Sequence, residues 1–66
     1  MKSCNENIQK ALRIAEAMIE LANAGDMARE DVGCGILYGI LRDSAYRIKK
    51  TAEAEKNAHM RKGTWE

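Results

Sequence analysis

The chain has 66 residues and a mass of 7.4 kDa, which is enough for one small domain and excludes a multidomain protein. It is 45% apolar and 32% charged, carries a net charge of +1 and has no proline, which excludes fibrous and fully disordered classes. No apolar run approaches the roughly 18 residues of a membrane span, and no signal-peptide pattern is seen. We therefore expect a soluble, cytoplasmic helical protein in which residues 1–66 form a single domain.

Residues from about 5 to 24 have the spacing of an amphipathic helix, with Ser3 or Asn5 as its N-cap. Apolar residues cover about 180° of this helix, more than the ~100° that contact with one partner helix requires. They form two rows at three- and four-residue steps. The first row comprises Ile8, Leu12, Ala15, Ile19 and Ala22, and the second comprises Ala11, Ile14, Met18 and Leu21. Two rows on one helix predict a bundle of more than two helices, so a second copy must supply the others.

A turn is predicted over about residues 25–30, because Gly25 suits the left-handed position that follows a helix. A second helix is predicted over about residues 31–61, with its apolar row at Cys34, Leu37, Leu41, Ser44 or Ala45, Ile48 and Ala52. The first helix spans ~30 Å and the second ~45 Å, so residues from about Glu53 onward are expected to project beyond the hairpin. Cys4 and Cys34 then lie at opposite ends, too far apart for a disulfide.

The predicted fold class is all-α: an antiparallel two-helix hairpin that dimerises into a four-helix bundle. One hairpin buries too little apolar surface to offset the entropy of ordering its residues. Gly35 and Gly39 are four residues apart and are expected to let another helix approach closely; the alternative is a helix that begins only near Gly35. The expected core and dimer contacts are Ile14, Met18, Leu21, Gly35, Ile36, Leu37, Gly39, Ile40 and Leu41.

Few residues suggest chemistry. Asp43 and Arg47 are four apart, the spacing of a helical ion pair, and are interpreted as structural. Glu55 and His59 have the same spacing and could offer two metal ligands, which become four only across a dimer axis. The sequence has no arrangement of nucleophile and base and no Cys-x-x-Cys motif. It therefore predicts no enzyme activity and no cofactor.

Basic residues are concentrated in the second half of the chain. Arg42, Lys49 and Lys56 recur every seven residues and would form a positive stripe along the second helix. Such a stripe is a candidate contact for a nucleic-acid backbone, and a solvated helix face explains it equally well. Arg42 is also four residues from Tyr46, close enough to stack on its ring. Nucleic acid is thus a candidate partner, although a second copy of the chain or another protein is favoured and no membrane is expected.

Two amphipathic helices, the Gly25-Asp26 turn and the predicted dimer resemble the Rop-like helical-hairpin dimers. That resemblance implies an RNA-binding regulator that uses the exposed face of its first helices, where this chain has Lys10 and Arg13. The segment 33–48 also resembles small uncharacterised bacterial helical proteins, which implies no activity. The sequence thus predicts a homodimeric interaction or regulatory protein. The alternatives are a Rop-like nucleic-acid-binding regulator and a metal or thiol site at a dimer interface.

Overall fold

A computed structural model of the chain, which describes residues 1–28 and 30–66, shows two long helices packed as a hairpin. Helix α1 is Ser3–Ala28 and helix α2 is Val32–Arg61. The Cα atoms extend over 48 × 15 × 13 Å, the shape of two helices side by side. The predicted all-α hairpin is therefore confirmed. Neither helix, over the described residues, is long and apolar enough to cross a membrane.

Helix α1 is longer than the predicted 5–24 at both ends. Gly25 does not end it, because the helix continues to Ala28. Of the predicted turn over residues 25–30, residue 30 is not helical, and position 29 lies outside the described residues. Gly25 serves packing instead, because a Cβ atom at this position would overlap the ring of Tyr38 on α2. The extra turn is also tied to α2, since Arg42 forms an ion pair with Asp26.

Helix α2 begins immediately after Asp31, which is its N-cap. Asp31 has an extended backbone, with φ −150° and ψ 174°, and its side chain accepts a 2.8 Å hydrogen bond from the backbone N–H of Cys34. That hydrogen bond lowers the pKa of the Asp31 carboxyl below its ordinary value. The alternative of a helix that starts only near Gly35 is therefore wrong, because the cap fixes the first turn at Val32.

Helix α2 ends in a Schellman motif around Gly63. The backbone N–H of Gly63 donates to the carbonyl of Met60 at 3.1 Å, and that of Thr64 donates to the carbonyl of His59 at 2.9 Å. Gly63 has a φ of +73°, in the left-handed region that favours glycine. The motif reverses the chain and directs residues 64–66 back along the hairpin.

The predicted overhang of residues from Glu53 onward is wrong. Helix α1 has 26 residues and α2 has 30, so their lengths nearly match. Asn5 near the start of α1 reaches His59 near the end of α2, which shows that the final turns of α2 are covered. Cys4 and Cys34 stand near opposite ends of the hairpin, and both are free thiols.

The contact between the helices is lined by alanine. Ala15 and Ala22 of α1 and Ala45 of α2 are fully buried, and Ala52 is 7% exposed. Each pair is seven residues apart, the repeat of a coiled-coil contact. The first predicted row of α1 does face α2, with Ile8, Leu12 and Ile19 half-buried beside the alanines. The predicted row of α2 is partly wrong, because Leu37 and Ile48 are exposed.

Candidate interaction surface and terminal polar cluster

One side of the hairpin presents a surface that we call the apolar face. It is defined by Ile14, Met18 and Leu21 on α1 and by Leu37, Leu41 and Ile48 on α2. At 100° per residue, the α1 members lie on one side of the buried alanines, and the α2 members lie on the matching side of theirs. Four of the six are exposed: Ile14 by 60%, Leu21 by 57%, Leu37 by 56% and Ile48 by 38%.

A shallow groove joins the two helices at the edge of this face. It has a volume of about 460 Å³. Ala11 lines it on the α1 side, and Ile48 and Thr51 line it on the α2 side, which shows that both helices contribute to one surface. Farther from the loop, Asn7 and Glu55 stand at its walls beside the half-buried Ile8 and the small Ala52, and no large apolar side chain of the described residues is exposed there. The apolar face therefore occupies the half of the hairpin nearest the loop.

The structure divides the nine predicted contact residues among different surfaces, and one of them, Gly35, lines a depression at the start of α2. Five of them belong to the apolar face. Ile36 and Ile40 are 59% and 62% exposed and point to the outer side of α2, away from α1. Gly39 lies on the opposite side from the apolar face, and no atom of the described chain is within 4 Å of where its Cβ would be. None of the nine is buried in the hairpin itself, whose core is alanine.

The predicted basic stripe lies on the face opposite the apolar one, and two of its three residues have partners within the chain. The guanidinium of Arg42 donates to the side-chain oxygen of Asn23 at 3.0 Å and forms an ion pair with Asp26. The ammonium of Lys56 stands 5.3 Å from the ring centroid of Trp65, a cation–π contact. Lys49, between them, is half-buried.

Two other predicted pairs are not formed. Asp43 and Arg47 make no ion pair within 4.0 Å in the part of the chain that the structure describes. Arg42 directs its guanidinium to α1 rather than to Tyr46, which is 53% exposed. Arg42 binds Asp26 in preference to Tyr46, because the bond to Asp26 joins two opposite charges that are both partly withdrawn from water.

The open end of the hairpin is held by a group of bonds that we call the terminal polar cluster, made of Asn5, His59 and the tail residues 64–66. Asn5 is fully buried. Its amide nitrogen donates to the backbone carbonyl of Thr64 at 2.7 Å and, at 3.4 Å, to that of Glu66. Because the nitrogen is the donor, the amide oxygen accepts from the Nδ1 of His59, at 2.6 Å.

The tail is fixed at two further points. The backbone N–H of Lys2 donates to the carbonyl of Glu66 at 2.7 Å, which joins the first residues of the chain to the last. The ring of Trp65 meets that of His59 edge to face, with centroids 6.5 Å apart and an interplanar angle of 74°. The cluster thus links α1, α2 and the tail, and no buried side-chain polar atom of the described residues lacks a partner.

The predicted metal ligands Glu55 and His59 do come together at this end. Their closest approach is 3.7 Å, between the Oε2 of Glu55 and the Nε2 of His59, and the other ring nitrogen of His59 is bonded to Asn5. Nowhere in residues 1–28 and 30–66 do three or more His, Cys, Asp or Glu side chains form a group that could hold a metal ion. The pair is a partly solvated side-chain contact at the helix end.

The role of Asn5 is the main feature that the sequence reasoning missed. The sequence offers Asn5 as one of two candidate N-caps, the other being Ser3, yet α1 begins at Ser3 and the Asn5 side chain points into the hairpin. A signal was present: Asn5, Leu12 and Ile19 are seven residues apart, so an asparagine occupies a position of the apolar row that faces α2. A polar residue at such a position requires buried hydrogen-bond partners.

No family model, curated protein or solved structure matches this sequence. The hairpin of two packed helices is the part of the Rop-like resemblance that the structure shows. On the exposed side of α1, Arg13 lies beside a small polar depression that it shares with Gln9 and Lys56.

Proposed function

We propose that this chain is a homodimeric helical interaction protein in which the apolar faces of two hairpins pack together as a four-helix bundle. One observation carries the proposal: the buried apolar residues of the hairpin are all alanines, whereas many of its large apolar side chains, such as Ile14, Leu21 and Leu37, are more than half exposed. A buried methylene contributes about 0.8 kcal/mol and a buried leucine about 1.5–3 kcal/mol. Much of the hydrophobic stabilisation that the sequence can provide is therefore unused in a single hairpin.

The surface area supports the same proposal. The chain exposes 4868 Å², whereas a compact monomer of this mass exposes roughly 4,200 Å². A face with the length and width of the hairpin, 48 by 15 Å, has an area of about 700 Å², within the range of about 600–1,000 Å² that each partner contributes to a stable interface. A second hairpin of the same size would cover the excess.

A non-catalytic role agrees with how the polar residues are used. Arg42 and Asn5 make bonds that hold the helices and the tail together. The dimer would therefore act by association, as an interaction or regulatory module. Its outer surface, which includes Ile36 and Ile40, would remain available to another protein.

The decisive experiment compares two neighbouring residues with nearly equal exposure on different faces. Leu37→Asp places a charge on the apolar face, and Ile36→Asp places the same charge on the outer side of α2. We expect the wild-type chain and Ile36→Asp to have the molar mass of a dimer in sedimentation equilibrium. Leu37→Asp should be monomeric or unfolded, because the aspartate cannot be buried between two hairpins without a large penalty.

Thermal unfolding gives an independent check. A dimer that folds as it assembles has a melting temperature that rises with protein concentration. A wild-type chain that sediments as a monomer and melts at the same temperature at every concentration would refute the proposal. So would equal effects of the two aspartate substitutions on molar mass.

A further inference from the structure

The structure also indicates how two hairpins would be oriented, an inference that rests on the proposed dimer. We infer that the two copies align with their loops at the same end, related by a twofold axis parallel to the helices. In this arrangement α1 of each copy packs on α2 of its partner. The alternative arrangement places the two loops at opposite ends of the bundle. It packs α1 on α1 of the partner and α2 on α2 of the partner.

The first argument is that the apolar face is not centred on the hairpin. Measured along the helices, Ile14 is ~21 Å from the loop end of α1 and Ile48 is ~24 Å from that of α2. These are the members of the face farthest from the loop, and the hairpin is 48 Å long. The far half of the same side carries Asn7, Thr51 and Glu55, with only the small Ala11 and Ala52 and the half-buried Ile8 as apolar members among the described residues. If two hairpins overlap along their whole length, only the arrangement with loops together places the apolar half of one copy on the apolar half of the other.

The register of the two helices within one hairpin shows which residues of the two copies would meet. Asn5 bonds His59, Asn23 bonds Arg42, and Gly25 lies against Tyr38, so residues of equal height on α1 and α2 are known. With loops together, the partner's α1 lies over α2 at the same heights. Leu21 of one copy then lies level with Leu41 of the other, and Ile14 lies level with the segment from Ile48 to Thr51.

The opposite orientation mismatches the same residues. Reversing α2 about its midpoint brings Leu37 and Leu41 level with about residues 52–57 of the second copy, where the same side of α2 carries Ala52 and Glu55. Leu37 and Leu41 would then be covered by Glu55 and the small Ala52, or the hairpins would have to slide apart and overlap over half their length. Arg47, at the midpoint of α2, would also lie level with its own copy, a pairing of like charges.

Net charge provides a second, independent argument. Helix α1 has four acidic and two basic residues, a net charge of −2, whereas α2 has three acidic and six basic residues, a net charge of +3 with His59 neutral. With loops together, each negative helix packs on a positive one. With loops at opposite ends, like-charged helices are packed together.

The two native cysteines can distinguish the arrangements. Cys34→Ser leaves only Cys4, near the open end, and Cys4→Ser leaves only Cys34, near the loop. With loops together, each cysteine is diagonally across the bundle from its copy, at ~13 Å for neighbouring helix axes ~9 Å apart. With loops at opposite ends, each is ~35 Å or more from its copy, and Cys4 of one hairpin instead lies near Cys34 of the other.

The experiment treats the wild-type chain and both single-cysteine variants with a short bismaleimide, after sedimentation has shown the molar mass of each. We expect covalent dimers from both single-cysteine variants, and loss of these dimers when Leu37→Asp is added. Cross-linking of the wild type but of neither single-cysteine variant would overturn the inference and leave the dimer intact. A monomeric mass for all three chains would instead refute the proposed dimer.

A distance measurement keeps the test decisive if the reagent reacts poorly with Cys34, which is half-buried. Cys4 is exposed, so the Cys34→Ser variant can carry a spin label there without entering the interface. A distance distribution between labels centred well below ~35 Å supports the orientation with loops together. A distribution centred at or above that distance refutes it.

Discussion

Replacing Asn5 with alanine should release the tail and destabilise the whole hairpin. The side chain is fully buried and makes bonds of 2.7 Å to the carbonyl of Thr64 and 2.6 Å to the ring of His59, together with a weaker bond of 3.4 Å to Glu66. Each satisfied bond contributes about 1 kcal/mol, and the substitution also leaves the His59 nitrogen without its partner. We expect the free energy of unfolding to fall by about 2–3 kcal/mol.

Urea unfolding followed by circular dichroism, at one fixed protein concentration, measures this loss. Asn57→Ala is the matched control, because Asn57 is an exposed asparagine at the same end of the hairpin and its replacement should change stability by less than about 0.5 kcal/mol. Trp65 is the single tryptophan, so its fluorescence reports directly whether the tail is docked against His59. Its emission should shift to longer wavelength in Asn5→Ala and not in Asn57→Ala.

A double-mutant cycle tests the reasoning itself. In a chain that lacks residues 63–66, the carbonyls that Asn5 binds are gone, so Asn5→Ala should cost about 1 kcal/mol, the bond to His59 alone. An equal cost in the full and shortened chains would show that Asn5 does not act through the tail. A cost no larger than that of Asn57→Ala would show that the terminal polar cluster contributes nothing.

Three further predictions follow from single contacts. Gly39→Ala should raise the free energy of unfolding by up to ~1 kcal/mol, because alanine has the higher helix propensity. Gly25→Ala should not raise it, because the added methyl group displaces the ring of Tyr38. Equal gains for the two variants in urea unfolding would contradict this prediction. Arg42→Met should lower the free energy of unfolding by about 1 kcal/mol in the same assay, because it removes a partly exposed ion pair and its added hydrogen bonds. No change would show that the ion pair is not formed in solution. The lowered pKa of Asp31 means that its capping stabilisation is complete above the unfolded pKa of ~3.9 and is lost as pH falls through the folded value. The wild type should therefore lose stability relative to Asp31→Asn below about pH 4. If the melting temperatures of the two chains change equally with pH down to about pH 2, this linkage is excluded.

The fold was largely predictable from the sequence because its signals are local. Residue spacing identified both helices, and Gly63 marked the end of the second one correctly. The errors arose where a distant residue decides the outcome. Gly25 has the properties of a helix stop, yet the ring of Tyr38, 13 positions later in the chain, makes it a packing site inside α1.

The candidate site was predictable in part. The second apolar row of α1 indicated an outward-facing surface, and Ile14 and Leu21 are indeed exposed. The apolar row of α2 was placed too close to the contact with α1. Spacing alone could not choose between Leu37 and Ala45 as the residue facing α1, because both belong to apolar rows less than one quarter-turn apart.

The sequence by itself determined that two amphipathic helices form, where each of them ends to within about a turn, and that their apolar surface exceeds what one partner can cover. These properties depend on residues three and four apart. The tertiary structure decided which rows meet. Alanines face each other because their small side chains let the helix backbones approach closely, and this rotation leaves the larger side chains outside. It also joined Asn5 to the tail, a contact between residues 59 positions apart that no local pattern specifies.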